Sequence, residues 1–260
     1  MSKEIKEVVK ETYSKVVKES NSCCGPSCCT PEEEITFAES YDHLEGYEQE
    51  ADYGLGCGIP TEFAKISKGD TVLDLGSGAG NDVFVARSIV GDSGQVIGVD
   101  MTEAMIAQAN ENKLKLGYEN VDFVLGEIED LPVKSDSIDV VVSNCVMNLV
   151  PDKTKAYSEV YRVLKSTGHF SISDIVLTGD LPESIRNAAE MYAGCVSGAL
   201  SKEGYIQAIR DAGFSDINVV KERRLDLPDN VILKFVSQSE LDQYRKSGGA
   251  IISITVFAEK

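Results

Sequence analysis

Two groups of residues in this sequence have the types and spacing for chemistry. The first is a glycine-rich run, Asp74-Leu75-Gly76-Ser77-Gly78-Ala79-Gly80. It follows a short apolar stretch, Val72-Leu73-Asp74-Leu75, and precedes a helical pattern from Val83 to Val90. Glycines between a strand and a helix allow a tight turn and let a ligand lie against bare backbone. Twenty residues after Gly80 comes Asp100, at the end of the next strand pattern. An acid there can accept hydrogen bonds from both hydroxyls of a ribose. The second group is the thiols. Seven cysteines divide into a cluster, Cys23, Cys24, Cys28 and Cys29, and three singles, Cys57, Cys145 and Cys195. An odd number is a poor disulfide framework, which leaves metal or metalloid binding, redox chemistry and plain burial as small hydrophobes.

The elements that must position these groups follow from periodicity. Residues 2–19 predict an amphipathic helix, with Ile5, Val8, Val9, Val16 and Val17 recurring near a 3.6-residue period. Residues 20–34 break that pattern and read as a cysteine-dense loop or arm. From 70 to 175, strand patterns (72–75, 96–100, 121–125, 138–142, 169–175) alternate with helical ones (83–90, after Thr102, 153–164). Alternation of this kind predicts βαβ units and a parallel sheet. After Asp180 the rhythm changes. Helices are expected over Pro182–Tyr192 and Lys202–Ala212, and strands over Ile217–Val220 and Ile251–Phe257. The expected organisation is an arm over 1–36, a nucleotide-binding domain over 37–180 including the Cys57 segment, and a C-terminal α+β extension over 181–260. In a parallel α/β sheet, ligands bind at the carboxyl ends of the strands, which places Cys145 at the cofactor's edge.

Two cofactors suit the loop and Asp100: a dinucleotide and S-adenosylmethionine. The dinucleotide fingerprint is G-x-G-x-x-G, whereas the spacing here is G-x-G-x-G with Asp74 ahead of it. That arrangement resembles the cofactor loop of class I S-adenosylmethionine-dependent methyltransferases. The resemblance implies a Rossmann-like sheet with helices on both faces. It implies that Asp74, Gly76, Ser77, Gly78 and Gly80 meet the methionine end and that Asp100, with Met101, holds the ribose. It also implies that Glu127 and Ile128 flank the adenine and that Asn144 lines the floor near the sulfonium.

Longer strings narrow the resemblance. Gly56-Cys57-Gly58-Ile59-Pro60, the glycine loop, Gly98-Val99-Asp100-Met101, Ser143-Asn144-Cys145-Val146, Gly194-Cys195-Val196-Ser197-Gly198-Ala199-Leu200 and Ile252-Ser253-Ile254-Thr255-Val256 all fit. From about Tyr41 to the end, the chain resembles the arsenite S-adenosylmethionine methyltransferases. The resemblance carries Cys57, Cys145 and Cys195 over as the three thiols that hold As(III). Soft, thiophilic arsenic matches thiolate sulfur. Three sulfurs leave it pyramidal, with a lone pair as nucleophile toward the sulfonium methyl. The substrate implied is a thiol conjugate of arsenite, and the products are methylated arsenicals. Methylation formally oxidises arsenic, so the family draws electrons from cysteine thiols and regenerates them with an external thiol, glutathione or a thioredoxin-like reductant. Cys23, Cys24, Cys28 and Cys29 could take part as a redox or delivery arm. A metal-binding arm and a solvated tail are the other readings. Met147 stands where related sequences can carry a fourth thiol.

Two other functions stay open at this stage. A small organic acceptor would call for a general base near Asn144, and the sequence offers no convincing one. A thiol-rich protein that sequesters metalloids would leave the glycine loop unexplained. Tyr41 and Tyr47, which precede Cys57, fit either a place over the cofactor or an aromatic core. His43 and His169 are expected to be structural. The net charge of −18 repels phosphate backbones and anionic membrane surfaces, so neither nucleic acid nor membrane is an expected partner. The charged start Met-Ser-Lys-Glu-Ile-Lys-Glu does not read as a secretory leader, and the expected location is cytoplasmic.

Overall fold

A computed structural model of the chain describes residues 2–20, 37–179, 198–225, 229–234, 236–246 and 249–260. Its helices are α1 (Ser2–Ser20), α2 (Asn81–Val90), α3 (Glu103–Leu116), α4 (Lys153–Val163), α5 (Lys202–Asp211), α6 (Asp229–Ile232) and α7 (Gln238–Lys246). Its strands are β1 (Thr71–Leu75), β2 (Gln95–Asp100), β3 (Val121–Leu125), β4 (Ile138–Asn144), β5 (Leu164–Thr178), β6 (Ser215–Leu225) and β7 (Ala250–Glu259). Cys23, Cys24, Cys28, Cys29 and Cys195 lie outside the described residues, as does the helix expected over Pro182–Tyr192. No described helix is long and apolar enough to cross a membrane.

The seven strands form one sheet in the order β3-β2-β1-β4-β5-β7-β6. The first five are parallel, and β7 pairs antiparallel with both β5 and β6. Val140, Val141 and Val142 are fully buried in sequence, as expected of a central parallel strand covered on both faces. Strand order reverses between β1 and β4, which lie side by side with Leu75 opposite Ser143. The Ser143 hydroxyl donates to the Leu75 carbonyl at 2.9 Å. Chain leaving β1 and chain leaving β4 therefore open the crevice at the switch point, where such sheets bind ligands.

β5 is longer than its parallel neighbour. Its last partner on β4 is Asn144, opposite Ser173, and it continues against β7 to Thr178. Alternate polar residues on β5 clasp the segment before β1. His169 Nε2 lies 2.6 Å from the Ala64 carbonyl, and Ser171 donates to the Pro60 carbonyl at 2.8 Å. A side chain on Gly58 would collide with Ser173 Oγ at 2.7 Å. The two-residue period of the strand thus lays residues 58–64 along one face of β5.

Candidate functional site

The glycine loop shows why its residues are needed. Gly76, Gly78 and Gly80 have φ of +69°, +51° and +105°. A Cβ on Gly76 would meet Val146 Cγ2 at 2.5 Å. The loop therefore lies directly against the residue that follows Cys145. Gly78 donates its N–H to Asp100 Oδ2 at 3.0 Å, and Thr102 donates its own to Asp100 Oδ1 at 2.8 Å. These bonds aim the Asp100 carboxylate from the end of β2 across the loop.

Nine of the ten expected cofactor residues line one cleft: Asp74, Gly76, Ser77, Gly78, Asp100, Met101, Glu127, Ile128 and Asn144. Gly80 is not among them; it stands at the N-cap of α2, where a Cβ would strike the Phe84 ring at 2.8 Å. The cleft also takes Lys6, Val9 and Tyr13 from α1, which the sequence reading did not place there. The Lys6 ammonium reaches the Glu127 carboxylate at 2.7 Å and also pairs with Glu129. Among the described residues, the buried Ser77 Oγ has no hydrogen-bond partner. The bare backbone, the orphaned hydroxyl and the acids Asp74 and Asp100 fit a ligand with a ribose and a cationic end, as S-adenosylmethionine has.

Behind the loop the acids are buried and crowded. Burial raises the Asp74 carboxyl well above its ordinary range, and the Asp82 and Asp100 charges push it further. Burial lifts Asp82 to about 6, against the pull of hydrogen bonds from Tyr41 and Asn144. Tyr41 is buried and donates to Asp82 Oδ1 at 2.9 Å. Its ring lies 6.2 Å from that of Tyr47. Tyr41 lines the cleft and also anchors the core beside it.

Asn144 joins this network to the thiols. Its Oδ1 accepts from the backbone N–H of Cys57 at 3.0 Å and of Gly58 at 3.3 Å. Its Nδ2 donates to the Gly58 carbonyl and the Tyr41 hydroxyl, each at 2.8 Å. A side chain on Gly56 would overlap Nδ2 at 2.5 Å. Asn144 thus reads both edges of the Cys57 turn as a strand partner would. On the far side, Ser253 Oγ and an Arg223 guanidinium nitrogen donate to the Cys57 carbonyl at 2.5 and 3.2 Å.

Cys145 follows β4 at φ +59°, a left-handed conformation uncommon for a residue with a side chain. Its N–H donates to the Ser173 carbonyl at 2.8 Å. Asp174 is the first residue of β5 beyond the end of β4, and its exposure is 0%. The Cys57 and Cys145 sulfurs and a carboxylate oxygen of Asp174 all lie within 4.8 Å of one another. Asp174 accepts from the backbone N–H of Asn148 at 3.0 Å and of Ile175 at 2.9 Å, and from the Tyr205 hydroxyl at 3.3 Å. Burial raises its carboxyl to about 7 despite these bonds.

Two expected thiols are thus brought together, and a third group joins them that sequence reasoning missed. The sequence holds only a weak hint, Ser171, Ser173 and Asp174 within an otherwise apolar strand, which does not by itself mark a site. The sequence offered no convincing general base near Asn144; the structure brings two buried acids close to it. Asn144 Nδ2 lies 3.2 Å from Asp82 Oδ2, and Asp174 adjoins Cys145. Met147 is fully buried in the main core.

Residues 66–223 match a family model described as a methyltransferase domain. An arsenite methyltransferase of Halobacterium salinarum is 39% identical over 270 aligned positions, covering 99% of this chain and 67% of the relative. The arsenite methyltransferase of Homo sapiens is 36% identical over 208 positions, covering 76% of this chain and 54% of the relative. The crystal structure of CrArsM, an arsenic(III) S-adenosylmethionine methyltransferase from Chlamydomonas reinhardtii, superposes with a TM-score of 0.68 at 37% identity. That match covers 79% of this chain and 67% of that one. The chain therefore spans about two thirds or less of the length of these relatives.

Proposed function

The chain belongs to the arsenite methyltransferase family, and from that premise we propose that it methylates trivalent arsenic held on Cys57, Cys145 and Cys195. The observation that carries the reading is the meeting of the Cys57 and Cys145 sulfurs at the edge of the cofactor cleft. S-adenosylmethionine, when bound, supplies an electrophilic methyl group on a sulfonium.

The chain's own residues bind and orient. Asp100 would hold the ribose, and the loop from Gly76 to Gly78 would face the methionine end. Asn144 sits in the cleft wall and fixes the Cys57 turn, so one side chain sets the thiol site relative to the cofactor floor. Thiolates are the matching ligands for As(III). Burial of Cys57, Cys145 and Asp174 excludes water from the arsenic. Positioning of this kind can contribute about 7–11 kcal/mol when reacting atoms are held in near-attack geometry. Arsenic would take the methyl group on its lone pair as the sulfonium carbon–sulfur bond breaks and a neutral thioether leaves, and it would pass formally from As(III) to As(V). Two cysteine thiols return the two electrons as they close to a disulfide, and an external thiol of glutathione or thioredoxin type restores them. The substrate in this reading is a thiol conjugate of arsenite.

The test is a methylation assay with reduced protein, S-adenosylmethionine and As(III), with and without glutathione. Cys57→Ser, Cys145→Ser and Cys195→Ser should each lose methylated arsenic while keeping cofactor affinity. A second reading, methylation of a small organic acceptor, has the buried acids Asp82 and Asp174 in its favour as proton acceptors. Turnover of an organic acceptor that survives Cys145→Ser, with no arsenic product from the parent protein, would establish that reading instead.

A further inference from the structure

Arsenic held by three thiols has no use for a carboxylate, yet Asp174 is buried against two of those thiols. We propose that Cys57, Cys145 and Asp174 also form a site for a thiophilic divalent cation, probed as Zn2+, with Asp174 as its oxygen donor. The inference goes beyond the methyltransferase reading and stands on the geometry of three donor atoms within 4.8 Å of one another.

Zinc is borderline-soft and takes sulfur at about 2.3 Å and carboxylate oxygen at about 2.0–2.2 Å in a tetrahedron. Those lengths set donor–donor separations of about 3.6–3.8 Å. A closure of about 1 Å from the 4.8 Å limit lies within the reach of small side-chain rotations. A mixed sulfur and oxygen set suits such a cation better than it suits As(III), which thiolate sulfur alone satisfies.

The surroundings are those of a supported site. The groups that hold the Asp174 carboxylate are neutral: the N–H of Asn148, the N–H of Ile175 and the Tyr205 hydroxyl. They orient it, as outer-shell partners of ligating carboxylates do, while the Lys153 ammonium acts on it through its charge. Cys57 is fixed through its backbone by Asn144 and Ser253, and Cys145 by its bond to Ser173. On binding, each thiol would form a zinc–sulfur bond and release its proton to solvent, and the Asp174 carboxyl would likewise give up the proton it carries and donate an oxygen lone pair. Two thiolates and one carboxylate carry three negative charges, and the cation offsets two of them. One consequence does rest on the proposed function: the cation and As(III) would exclude one another, because both need the same two thiols.

The experiment is a Zn2+ titration against a chromophoric chelator, on reduced full chain carrying Cys23→Ser, Cys24→Ser, Cys28→Ser and Cys29→Ser. S-adenosylmethionine affinity, measured in parallel, reports that each protein is folded. The expected result is one equivalent of Zn2+. Asp174→Asn should weaken it at least about tenfold, and Cys57→Ser with Cys145→Ser should abolish it. Failure to bind Zn2+, binding unchanged in Asp174→Asn, or binding that survives loss of both thiols would overturn the proposal. Should Asp174→Asn not fold, zinc-edge X-ray absorption on the parent takes its place. A shell containing oxygen at about 2.0–2.2 Å beside sulfur is expected, and a sulfur-only shell overturns the assignment. Arsenic methylation does not enter these readouts, so failure here and failure of the methyltransferase reading are separable.

Discussion

The cofactor cleft and the thiol site are neighbours built on opposite plans. The cleft comes chiefly from consecutive βα units: the loop after β1, the acid ending β2 and the turn after β3. The thiol site joins segments far apart in the chain. Cys57 precedes the sheet, Cys145 follows β4, Asp174 lies in β5, and Arg223 and Ser253 reach in from β6 and β7. Local pattern is enough to assemble the first. The second exists only once the sheet has closed, because its members meet through strand register and not through spacing. Cofactor binding and arsenic chemistry should therefore fail separately under mutation, except at the few residues shared by both regions.

Gly76→Ala should be the most damaging change on the cofactor side. The backbone there is left-handed, and the added Cβ lands 2.5 Å from Val146 Cγ2. Backbone strain of about 1–3 kcal/mol and an overpacking cost of about 1–3 kcal/mol add, for a loss of roughly 2–6 kcal/mol. Denaturant unfolding should show that loss, with S-adenosylmethionine affinity reduced together with it. Because Val146 adjoins Cys145, this change also tests how far the separation holds. A variant of normal stability and affinity would mean that the loop has room the structure does not show.

Asp174→Asn probes the other side through pH. The folded chain keeps a proton on Asp174 up to about pH 7, whereas the unfolded chain releases it near its ordinary value of about 3.9. The sign follows: ionisation opposes folding. The opposition is absent below about pH 4, grows as pH rises and is complete above about pH 7. At 1.36 kcal/mol per pH unit, the ceiling is about 4 kcal/mol. The asparagine variant has no such proton; its single amide oxygen can accept from only one of the Asn148 and Ile175 N–H groups, which bond different carboxylate oxygens, and that cost does not vary with pH. Its stability relative to the parent should rise by about 2–3 kcal/mol between about pH 4.5 and pH 8, read by urea unfolding at each pH. A pH-independent difference would show that Asp174 is not held protonated by its burial.

These two residues also mark how legible the molecule is. Gly76 was readable because a strand, glycines, a helix and a second acid occur in order, and the structure places all but one of the expected cofactor residues on one cleft. The parallel half of the sheet was readable from its alternation. Asp174 was not. Its strand resembles any buried strand with a few small polar residues, and what makes it a site residue is that β5 runs past the end of β4. The clasp of β5 on residues 58–64 was hidden for the same reason. Asn144 was legible as a cleft residue, but its bonds to the Cys57 turn span 87 positions and have no local signature. It is the shared residue in the comparison. Asn144→Ala should cost about 10–100-fold in arsenic methylation, since it leaves the Cys57 and Gly58 N–H groups without their acceptor at about 1–3 kcal/mol. The same change should lower cofactor affinity by less than tenfold, about 1.4 kcal/mol. Equal losses in both would show that the two regions are one site.

The smallest effect is expected where α1 meets the cleft, and it decides whether that helix belongs to the comparison at all. Lys6 pairs with Glu127, the acid the family resemblance assigns to the adenine side, and with Glu129. The pair looks like a latch, and its hydrogen bond to Lys6 holds the Glu127 carboxyl below its usual range. Yet the Glu127 side chain is 47% exposed, and exposed ion pairs contribute about 0–1 kcal/mol and weaken with salt. The apolar side of α1 is better placed to hold it down. Val9 is 2% exposed and packs in the cluster that contains Cys57, Cys145 and Leu149. Lys6→Ala should therefore shift S-adenosylmethionine affinity by less than about fivefold, with the difference shrinking as salt is added. Val9→Ala should weaken the docking of α1 more, as a buried aliphatic truncation. A tenfold or larger loss of cofactor affinity in Lys6→Ala, persisting at high salt, would make α1 a structural wall of the cofactor site. The cleft would then share the plan of the thiol site: a place completed by a segment distant in the chain, and hidden for that reason from any local reading.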